Sequence, residues 1–419
     1  MLDQALTAGR PIPETPALTV ESIDVVAGGP RQLLSASPWK REGLADYARQ
    51  AGRLPPEDEI FTRLAGITGR GGAGFPFLTK VLVARENVRP TRFVVINGEE
   101  GEPSSCKDRY LLRFRPHMVL DGAMITANLV GAGTVVVYVS DPVSAVSVHA
   151  AIAEVESGLR FEVVVCPASY VAGEASSIVR FMAHGDARPT DKPPFIYDAG
   201  IDGEPTLVSN VETFAAVAYA CRNDSRQSTF LATVSDGKAR TALLEVPYGA
   251  KLSDLAAAVG ATGAELVVAG GLFGGILPTA PDLGLETQTF RQAGSSMGCA
   301  AFIFRGDRRD VLTVAAEVAA EIHDSSARQC GSCINGTRAV RDALRRMALG
   351  NAPGSVLDDL QRWATGLRGR GACALPDGAA VLVNTLLRYF ETEMEAGASG
   401  EPSRPMTINW NVGVPVAGP

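Results

Sequence analysis

Apolar positions recur at intervals of three and four between residues 38 and 66. Leu44, Tyr47 and Ala48, then Ile60, Leu64 and Ala65, fall on common faces, and that spacing predicts helix. A β-run from Arg92 to Asn97, apolar from Phe93 to Ile96, predicts a buried strand, and a helical period returns over about 115–131. Two further β-runs, Thr134 to Val139 and Phe161 to Val165, flank a helical pattern at 142–157. Strands alternating with helices predict βαβ units and a mostly parallel sheet. Residues 168–225 are loop-rich. From 228 to about 285 the texture changes. Thr229 to Val234 and Ala242 to Val246 read as strands across an Asp236-Gly237 turn, and a strand runs from Glu265 to Ala269. Between them Leu255 to Val259 is a short helix, capped by Ser253 and ended by Gly260. This is a compact α+β module of β-grasp size. Residues 305–395 carry helical periods at 311–323, 335–348, 355–366 and 377–395. Residues 1–35 and 397–419 show no period and predict a loosely docked arm and a tail.

The 419 residues suggest two or three domains. With 46% hydrophobic and 20% charged residues the chain is globular in composition. Its 39 basic and 46 acidic residues, a net charge of −7, make it a poor candidate for wrapping nucleic acid. The first twenty residues lack a basic region followed by an apolar one, and the most apolar stretch, Ala127 to Val139, is too short to span a bilayer. A cytoplasmic protein is expected. Seven cysteines are an odd number in a long chain of this kind, which points to metal or redox use over a disulfide scaffold.

The glycines cluster. Gly69, Gly71 and Gly74 match the dinucleotide fingerprint spacing, but a helix and not a strand precedes them, so the Rossmann context fails. Consecutive glycines still expose backbone N–H groups that can cradle phosphate, and Arg70 adds a cation. The alternative is a tight turn that only links two elements. Asn97-Gly98-Glu99-Glu100-Gly101-Glu102 follows a strand, where open α/β sheets bind ligands. Its carboxylates either bind ligand groups or pair locally with Lys107-Asp108-Arg109. Cys330 and Cys333 stand one turn apart, with Cys373 farther on, a set suited to iron–sulfur or zinc ligation. Cys106, Cys166, Cys221 and Cys299 read as core thiols.

Six ordered segments carry a resemblance: Gly69–Lys80, Asn97–Arg109, Tyr170–Glu174, Lys192–Phe195, Val208–Thr213 and Cys330–Gly336. Together they resemble the FMN- and NADH-binding flavoprotein subunit of respiratory complex I and its relatives in NAD-linked hydrogenases and formate dehydrogenases. The resemblance covers about residues 56–395. It implies an α/β fold with a Rossmann-like FMN-binding domain at 51–227, a ubiquitin-like β-grasp module at 228–290 and a helical iron–sulfur domain at 291–396. An N-terminal extension at 1–50 and a tail at 397–419 complete the chain.

The resemblance also implies roles. Gly69, Arg70, Gly71, Gly72, Ala73 and Gly74 would hold FMN phosphate and ribityl, with Lys80 nearby. Asn97, Glu99 and Glu100 would border the flavin, where the family usually has Asp at the position of Glu99. Glu100 is the nearest candidate for a catalytic side chain, although hydride transfer between cofactors needs none. Val208, Asn210 and Thr213 would complete the flavin site. Phe75, Lys192 and Phe195 would form the adenine pocket, with Glu102, Tyr170, Gly173 and Glu174 beside it. Cys330, Cys333 and Cys373 would bind a [4Fe–4S] or [3Fe–4S] cluster. Ala327 stands where the family's first cluster cysteine would be, so a fourth iron would need a non-protein ligand or a substitute such as Asp324 or Ser326, or would be absent. Ala175 replaces a second glutamate after Glu174, so NADPH would be tolerated better than in the family at large, with Arg188 within reach. The implied reaction is hydride transfer from NADH to FMN. Single electrons would then pass to a partner ferredoxin or [2Fe–2S] subunit in a larger redox complex, without membrane insertion. A non-catalytic scaffold or nucleotide sensor, and a flavoenzyme reducing quinones or small molecules, are the competing readings.

Overall fold

The computed structural model describes residues 18–26, 28–405, 407–410 and 412–414. Residues 1–17 and 415–419 of the expected arm and tail lie outside the described residues. What is described of the arm is not loose. Strand β1 (Leu18–Thr19) is followed by β2 (Ser22–Val25), which runs parallel to Ala242–Glu245. The amides of Gln32, Leu33 and Leu34 donate to the buried Glu245 carboxylate at 2.7, 2.8 and 3.0 Å. A carboxylate buried in a strand needs such donors, so Glu245 pins this segment to the sheet.

The helical stretch expected at 38–66 is two helices, α1 (Leu44–Gln50) and α2 (Glu57–Leu64). Pro55 and Pro56 lie between them and cannot continue a helix. The glycine loop follows α2 and opens α3 (Phe77–Glu86). The expected parallel sheet is present. It consists of β3 (Phe93–Gly98), β4 (Thr134–Val139), β5 (Arg160–Val165) and β6 (Thr206–Asn210), in the order β5-β4-β3-β6. Helices α4 (Lys107–Phe114), α5 (Pro116–Val130), α6 (Pro142–Glu154), α7 (Ala175–His184) and α8 (Val211–Arg222) connect and cover it. Val94, Val95, Ile96 and Val135 to Val139 are fully buried, as a sheet covered on both faces requires. Helix α5 packs on α8 through Gly122, where a Cβ would stand 1.9 Å from the Phe214 carbonyl oxygen. Strands β4 and β6 flank β3 on opposite sides, so the sheet's switch point lies at the carboxyl ends of β3 and β6.

A second, mixed sheet follows. Its elements are β7 (Thr229–Ser235), β8 (Thr241–Pro247), α9 (Leu252–Ala258), β9 (Leu266–Ala269), β10 (Ile276–Pro278), α10 (Thr287–Gln292) and β11 (Ala301–Arg305). The strand order is β10-β9-β11-β7-β8-β2. Strand β11 is not among the expected elements. Its five buried residues are too few to show a period, and it sits beside the region that reads as helical. Helices α11 (Val311–Asp324), α12 (Arg338–Ala348), α13 (Val356–Leu367), α14 (Leu375–Tyr389) and α15 (Glu391–Ala398) share a separate apolar core. The helix expected at 377–395 breaks at Phe390. Strand β12 (Val412–Gly413) pairs with β1, and Arg109 donates to the Val412 carbonyl at 2.7 Å. Among the described residues no helix is long and apolar enough to cross a membrane.

Candidate functional site

The glycine loop closes on itself through Gly69 N–H donating to the Phe75 carbonyl at 2.7 Å. Gly72 and Gly74 have φ of +109° and +62°, a region that side chains rarely adopt. A Cβ on Gly71 would come 3.4 Å from Asn210 Cβ, and one on Gly72 would find only Gly298 at 3.9 Å. The loop is therefore a backbone surface lying over the start of α8, with open space above it. Ala73 is exposed, as is Phe75 at 47%. Lys80 donates to the Val208 carbonyl at 3.1 Å, and burial without a carboxylate partner pushes its pKa down. Arg70 is placed differently from expectation. Its guanidinium is buried against Glu212 at 3.2 Å and over the Phe230 ring at 4.8 Å, and its amide donates to Thr213 Oγ1 at 3.0 Å. Glu212 compensates the charge, so Lys80 is the cation left for a phosphate. One guanidinium nitrogen, Arg70 Nη2, is buried without a partner.

The acidic loop is committed almost group by group. Asn97 Nδ2 donates to the Gly173 carbonyl at 2.7 Å. Glu100 accepts from Ser105 Oγ at 2.6 Å, from the amides of Asp108 and Arg109 at 3.1 and 3.0 Å, and from Arg109 Nε at 3.1 Å. Burial works against its ionised form, but Arg109 and Lys107 outweigh burial and hold its pKa down. It caps the start of α4 and is not a free base. Glu102 accepts from Ser104 Oγ at 2.6 Å and from the Leu272 amide at 2.9 Å, and burial raises its pKa. The Tyr170 phenol is held protonated by burial and by Glu102, and its ring lies 6.0 Å from Phe273. Glu102 and Tyr170 thus tie the parallel sheet's loops to the mixed sheet. Gly101 allows this approach, because a Cβ there would stand 2.6 Å from Tyr170 Cα. Glu99 accepts from the Ser169 amide at 3.2 Å and faces Cys166 Sγ at 3.8 Å. Burial pushes its pKa up to about 7.

On the far side of the loop, Glu174 caps α7 through the amides of Ser176 and Ser177 at 2.8 and 3.3 Å. It also pairs with Lys192 at 2.7 Å. Phe195 stacks on Tyr197, with centroids 5.2 Å apart and planes 5° apart, and both rings are about two-fifths exposed. Ala175 packs into the small core under β3 and β4. Arg188 is exposed. Its guanidinium is paired with Asp186 at 2.7 Å.

Beneath Asn210 lies a buried ionic cluster that sequence patterns do not assemble. Lys107 Nζ stands 2.9 Å from Asp108, 3.0 Å from Glu212 and 3.3 Å from Asn210 Oδ1. Asn210 in turn donates to Asp108 at 2.6 Å and caps α8 through the Glu212 amide at 3.0 Å. Of the basic residues expected to neutralise the acidic loop, Arg109 pairs with Glu100 directly. Lys107 acts on Glu100 without an ion pair and makes its own pairs with Asp108 and Glu212.

The three cluster cysteines converge. Cys330 Sγ lies 3.3 Å from Cys333 Sγ, and the Cys333 and Cys373 thiols share a hydrogen bond that raises the pKa of the first and lowers that of the second. A π-helical turn, Ser332–Thr337, carries Cys333. Thr337 Oγ1 donates to the Cys333 carbonyl at 2.7 Å and lies 2.9 Å from His323 Nδ1. Gln329 reaches the Pro189 carbonyl at 2.5 Å, which joins this turn to the Lys192 side of the site. Among the described residues, no trio of His, Cys, Asp or Glu has the geometry of a single bound ion. Asp324 is exposed and paired with Arg328 at 3.4 Å, whereas Ser326 is buried and its hydroxyl has no partner. All seven cysteines are free thiols. Cys106, Cys166 and Cys221 are buried as expected, but Cys299 is half-buried. Burial and Glu102 push its thiol pKa up, and the preceding Gly298 is what a Cβ on Gly72 of the glycine loop would meet, at 3.9 Å.

The family described as the Nuo51 FMN-binding domain matches residues 62–219, and the NADH-ubiquinone oxidoreductase-F iron-sulfur binding region matches 313–397. An NADH-quinone oxidoreductase subunit of Rhizobium meliloti (strain 1021) is 27% identical over 387 residues, covering 85% of this chain and 90% of that protein. Its counterpart in Rickettsia massiliae (strain Mtu5), also an NADH-quinone oxidoreductase subunit, is 28% identical over 366 residues, covering 79% and 86%. Both the FMN-binding and the iron–sulfur regions of the complex I flavoprotein subunit are thus matched, in order, in this chain. An NAD+-reducing [NiFe]-hydrogenase, solved in its H2-reduced state, matches with a TM-score of 0.75 and 27% identity. The match covers 88% of this chain and 68% of the hydrogenase chain.

Departures from the pattern the chain resembles have structural consequences. At Ser209, near the end of β6, the resemblance implies an Asn; the serine hydroxyl is buried there without a partner. Glu99 stands where Asp is usual and is buried with a raised pKa. A carboxyl whose folded pKa is raised takes up a proton on folding. Its contribution to stability is fully present below its ordinary pKa of 4.5 and is lost as pH rises through about 7. Glu99→Gln cannot titrate. Its unfolding free energy relative to the parent is expected to rise by about 3 kcal/mol between roughly pH 4.5 and 8, measured by urea denaturation. A difference that stays flat with pH would show that Glu99 ionises normally.

Proposed function

We propose that the chain oxidises NADH on a bound FMN and delivers single electrons, through an iron–sulfur centre, to a partner redox protein. One observation carries this reading. A loop with almost no side chains and a cation without a carboxylate partner, Lys80, meet at the switch point of the parallel sheet. A glycine cradle with backbone N–H groups and one uncompensated lysine suits a phosphate monoester such as FMN. FMN supplies the chemistry when bound: it takes a hydride and releases electrons singly.

In this reading Gly69 to Gly74 and Lys80 hold the phosphate end. Asn97, Asn210 and Thr213 fix the floor through the hydrogen bonds described above, and Val208 presents its carbonyl to Lys80. The stacked Phe195 and Tyr197, with Phe75, offer aromatic faces to a nucleotide base. Glu174 and Lys192 are mutually neutralised beside them. Ala175 adds no charge there, and NADPH is therefore accepted alongside NADH. The residues bind and orient, and none moves a proton in the hydride step. Cys330, Cys333 and Cys373 would hold the cluster. Residues 228–290, a mixed sheet crossed by α9, form the β-grasp module in this reading. The partner is a ferredoxin or [2Fe–2S] subunit of a larger assembly located in the cytoplasm.

The test is the visible spectrum of the purified, reconstituted protein. One FMN per chain is expected, with flavin bands that bleach within seconds of adding NADH. Lys80→Ala is expected to weaken FMN retention by about tenfold to a hundredfold, the effect of losing a charge-assisted hydrogen bond. FAD in place of FMN, or a protein that takes up no flavin, would overturn the reading in favour of the scaffold that Ala327 and Ala175 suggest. Running the titration with NADPH, and with Ala175→Glu, tests the nucleotide preference. An unchanged NADH/NADPH ratio in that variant removes Ala175 from it.

A further inference from the structure

The charge on the helical domain is opposite to that of the whole chain. Between Arg328 and Arg370 there are eight arginines and three aspartates, a local excess of five positive charges in a chain of net −7. The arginines nearest the cysteines are exposed: Arg328, Arg338, Arg368 and Arg370. Arg328 has a 3.4 Å contact with the exposed Asp324. Arg338 bonds only the Asn335 amide oxygen, at 3.0 Å. Among the described residues, Arg338, Arg368 and Arg370 have no carboxylate within ion-pair distance.

The backbone holds these arginines around the cysteines. Ser332 Oγ donates to the Arg370 carbonyl at 2.9 Å, one residue from Cys333. Ile334 N–H donates to the Cys330 carbonyl at 2.9 Å, and its side chain is 43% exposed. Cys330 and Cys373 are themselves half-exposed. The patch is therefore an exposed apolar residue beside half-exposed thiols, rimmed by uncompensated guanidiniums.

We propose that this face is the docking surface for an acidic, one-electron redox protein, a proposal that rests on the electron-transfer reading above. Three arguments favour that occupant. Uncompensated arginines attract an acidic surface and accelerate its encounter, while the acidic remainder of the chain repels it, so encounters are steered to this face. One apolar contact inside a polar rim suits a small, transient interface of the kind redox partners form. The face also lies over the cysteines from which electrons would leave. The exchange balances: NADH gives up two electrons and releases NAD+ and a proton, and two partner molecules each take one electron. Nucleic acid is a poorer match, because the patch lacks aromatic residues on which bases would stack. An anionic membrane is poorer too, because one exposed isoleucine gives little to insert.

The test uses the reconstituted full chain and an acidic [2Fe–2S] ferredoxin as probe. Flavin bleaching by NADH is measured first, without acceptor. Ferredoxin reduction is then followed against ionic strength, in the parent and in a variant combining Arg338→Glu, Arg368→Glu and Arg370→Glu. Arg160→Glu, an exposed change on β5, serves as control. Between low and physiological-to-high salt, kcat/KM for ferredoxin is expected to fall about tenfold. The triple variant is expected to lose about thirtyfold or more through KM, with flavin bleaching and the Arg160→Glu control unchanged. Normal bleaching with salt-independent ferredoxin reduction, or with no loss in the triple variant, overturns the docking surface alone. Tighter binding of duplex DNA or phosphatidylserine vesicles than of ferredoxin, lost in the triple variant, also overturns it. If NADH fails to bleach the flavin, the functional reading falls. Calorimetric binding of oxidised ferredoxin then decides the surface, and no difference between parent and variant rejects it.

Discussion

Replacing Lys107 by Met is expected to lower the unfolding free energy by about 3–5 kcal/mol, the range for breaking a buried ion pair from one side. The Lys107 side chain is fully buried between Asp108 and Glu212. Burial opposes its charge, yet Asp108, Glu212 and Glu100 outweigh burial and hold its pKa up. Without the ammonium, Asp108 and Glu212 are left as neighbouring carboxylates out of reach of water. Burial already lifts the Asp108 pKa to about 6, and the variant raises it further. A raised carboxyl pKa means stability that is present at low pH and lost as pH rises. The deficit should therefore be small near pH 5 and largest above pH 7, where Asp108 would have to ionise. Urea denaturation at the two pH values measures it. Adding Glu212→Gln should recover part of the loss, because one buried charge is removed with its partner. A deficit below about 1 kcal/mol at neutral pH would show that the cluster is hydrated and not dry. The variant should also lose FMN, because Asn210 is held by Lys107 and Asp108.

Local signals in the sequence identify the parallel sheet and the order of the site segments. Runs such as Val94 to Ile96 and Val135 to Val139 are apolar because both faces of their strands are covered, and that is visible without neighbours. Glycine positions are legible for a similar reason, because the backbone conformation is a property of the residue itself. What stays hidden depends on partners far along the chain. Lys107 and Glu212 are 105 positions apart in the chain, and nothing local says that they meet. Arg70 looks like a phosphate ligand because its neighbours are glycines, but its charge is met by Glu212. Residues 22–25 look like an arm because four residues show no period. Their strand exists only beside β8, and the matching signal is Glu245, a carboxylate in an otherwise apolar strand. Tyr197 draws no notice beside Phe195, although alternate aromatics after a proline pair can share one face. The Cys299 thiol reads as core because its flanks are small, and its half-exposure depends on how loop 294–299 meets the glycine loop.

Ala327→Cys is expected to convert the iron–sulfur centre. Three thiolates can hold three corners of a cubane, and the parent has Cys330, Cys333 and Cys373 together. The fourth corner then takes an oxygen ligand or is lost. Of the two oxygens near Ala327 in the chain, the Asp324 carboxylate is exposed and engaged by Arg328. The Ser326 hydroxyl is buried and lacks any partner, a state that costs about 1–3 kcal/mol unless something binds it. Ser326 is therefore the better-placed substitute. Reconstituted anaerobically, the parent should bind iron and sulfide but lose about one iron per cluster on mild oxidation, with a [3Fe–4S] EPR signal, because an oxygen ligand holds a soft site weakly. Ala327→Cys should retain four irons under the same treatment. Ser326→Ala should lose the fourth iron even before oxidation, and Cys373→Ala should hold no cluster, having only two thiolates. Iron and sulfide analysis with EPR reads all four proteins without relying on turnover. If the parent keeps four irons and Ser326→Ala behaves identically, the fourth ligand is not this hydroxyl. If neither the parent nor Ala327→Cys binds iron, the three cysteines do not form a cluster site.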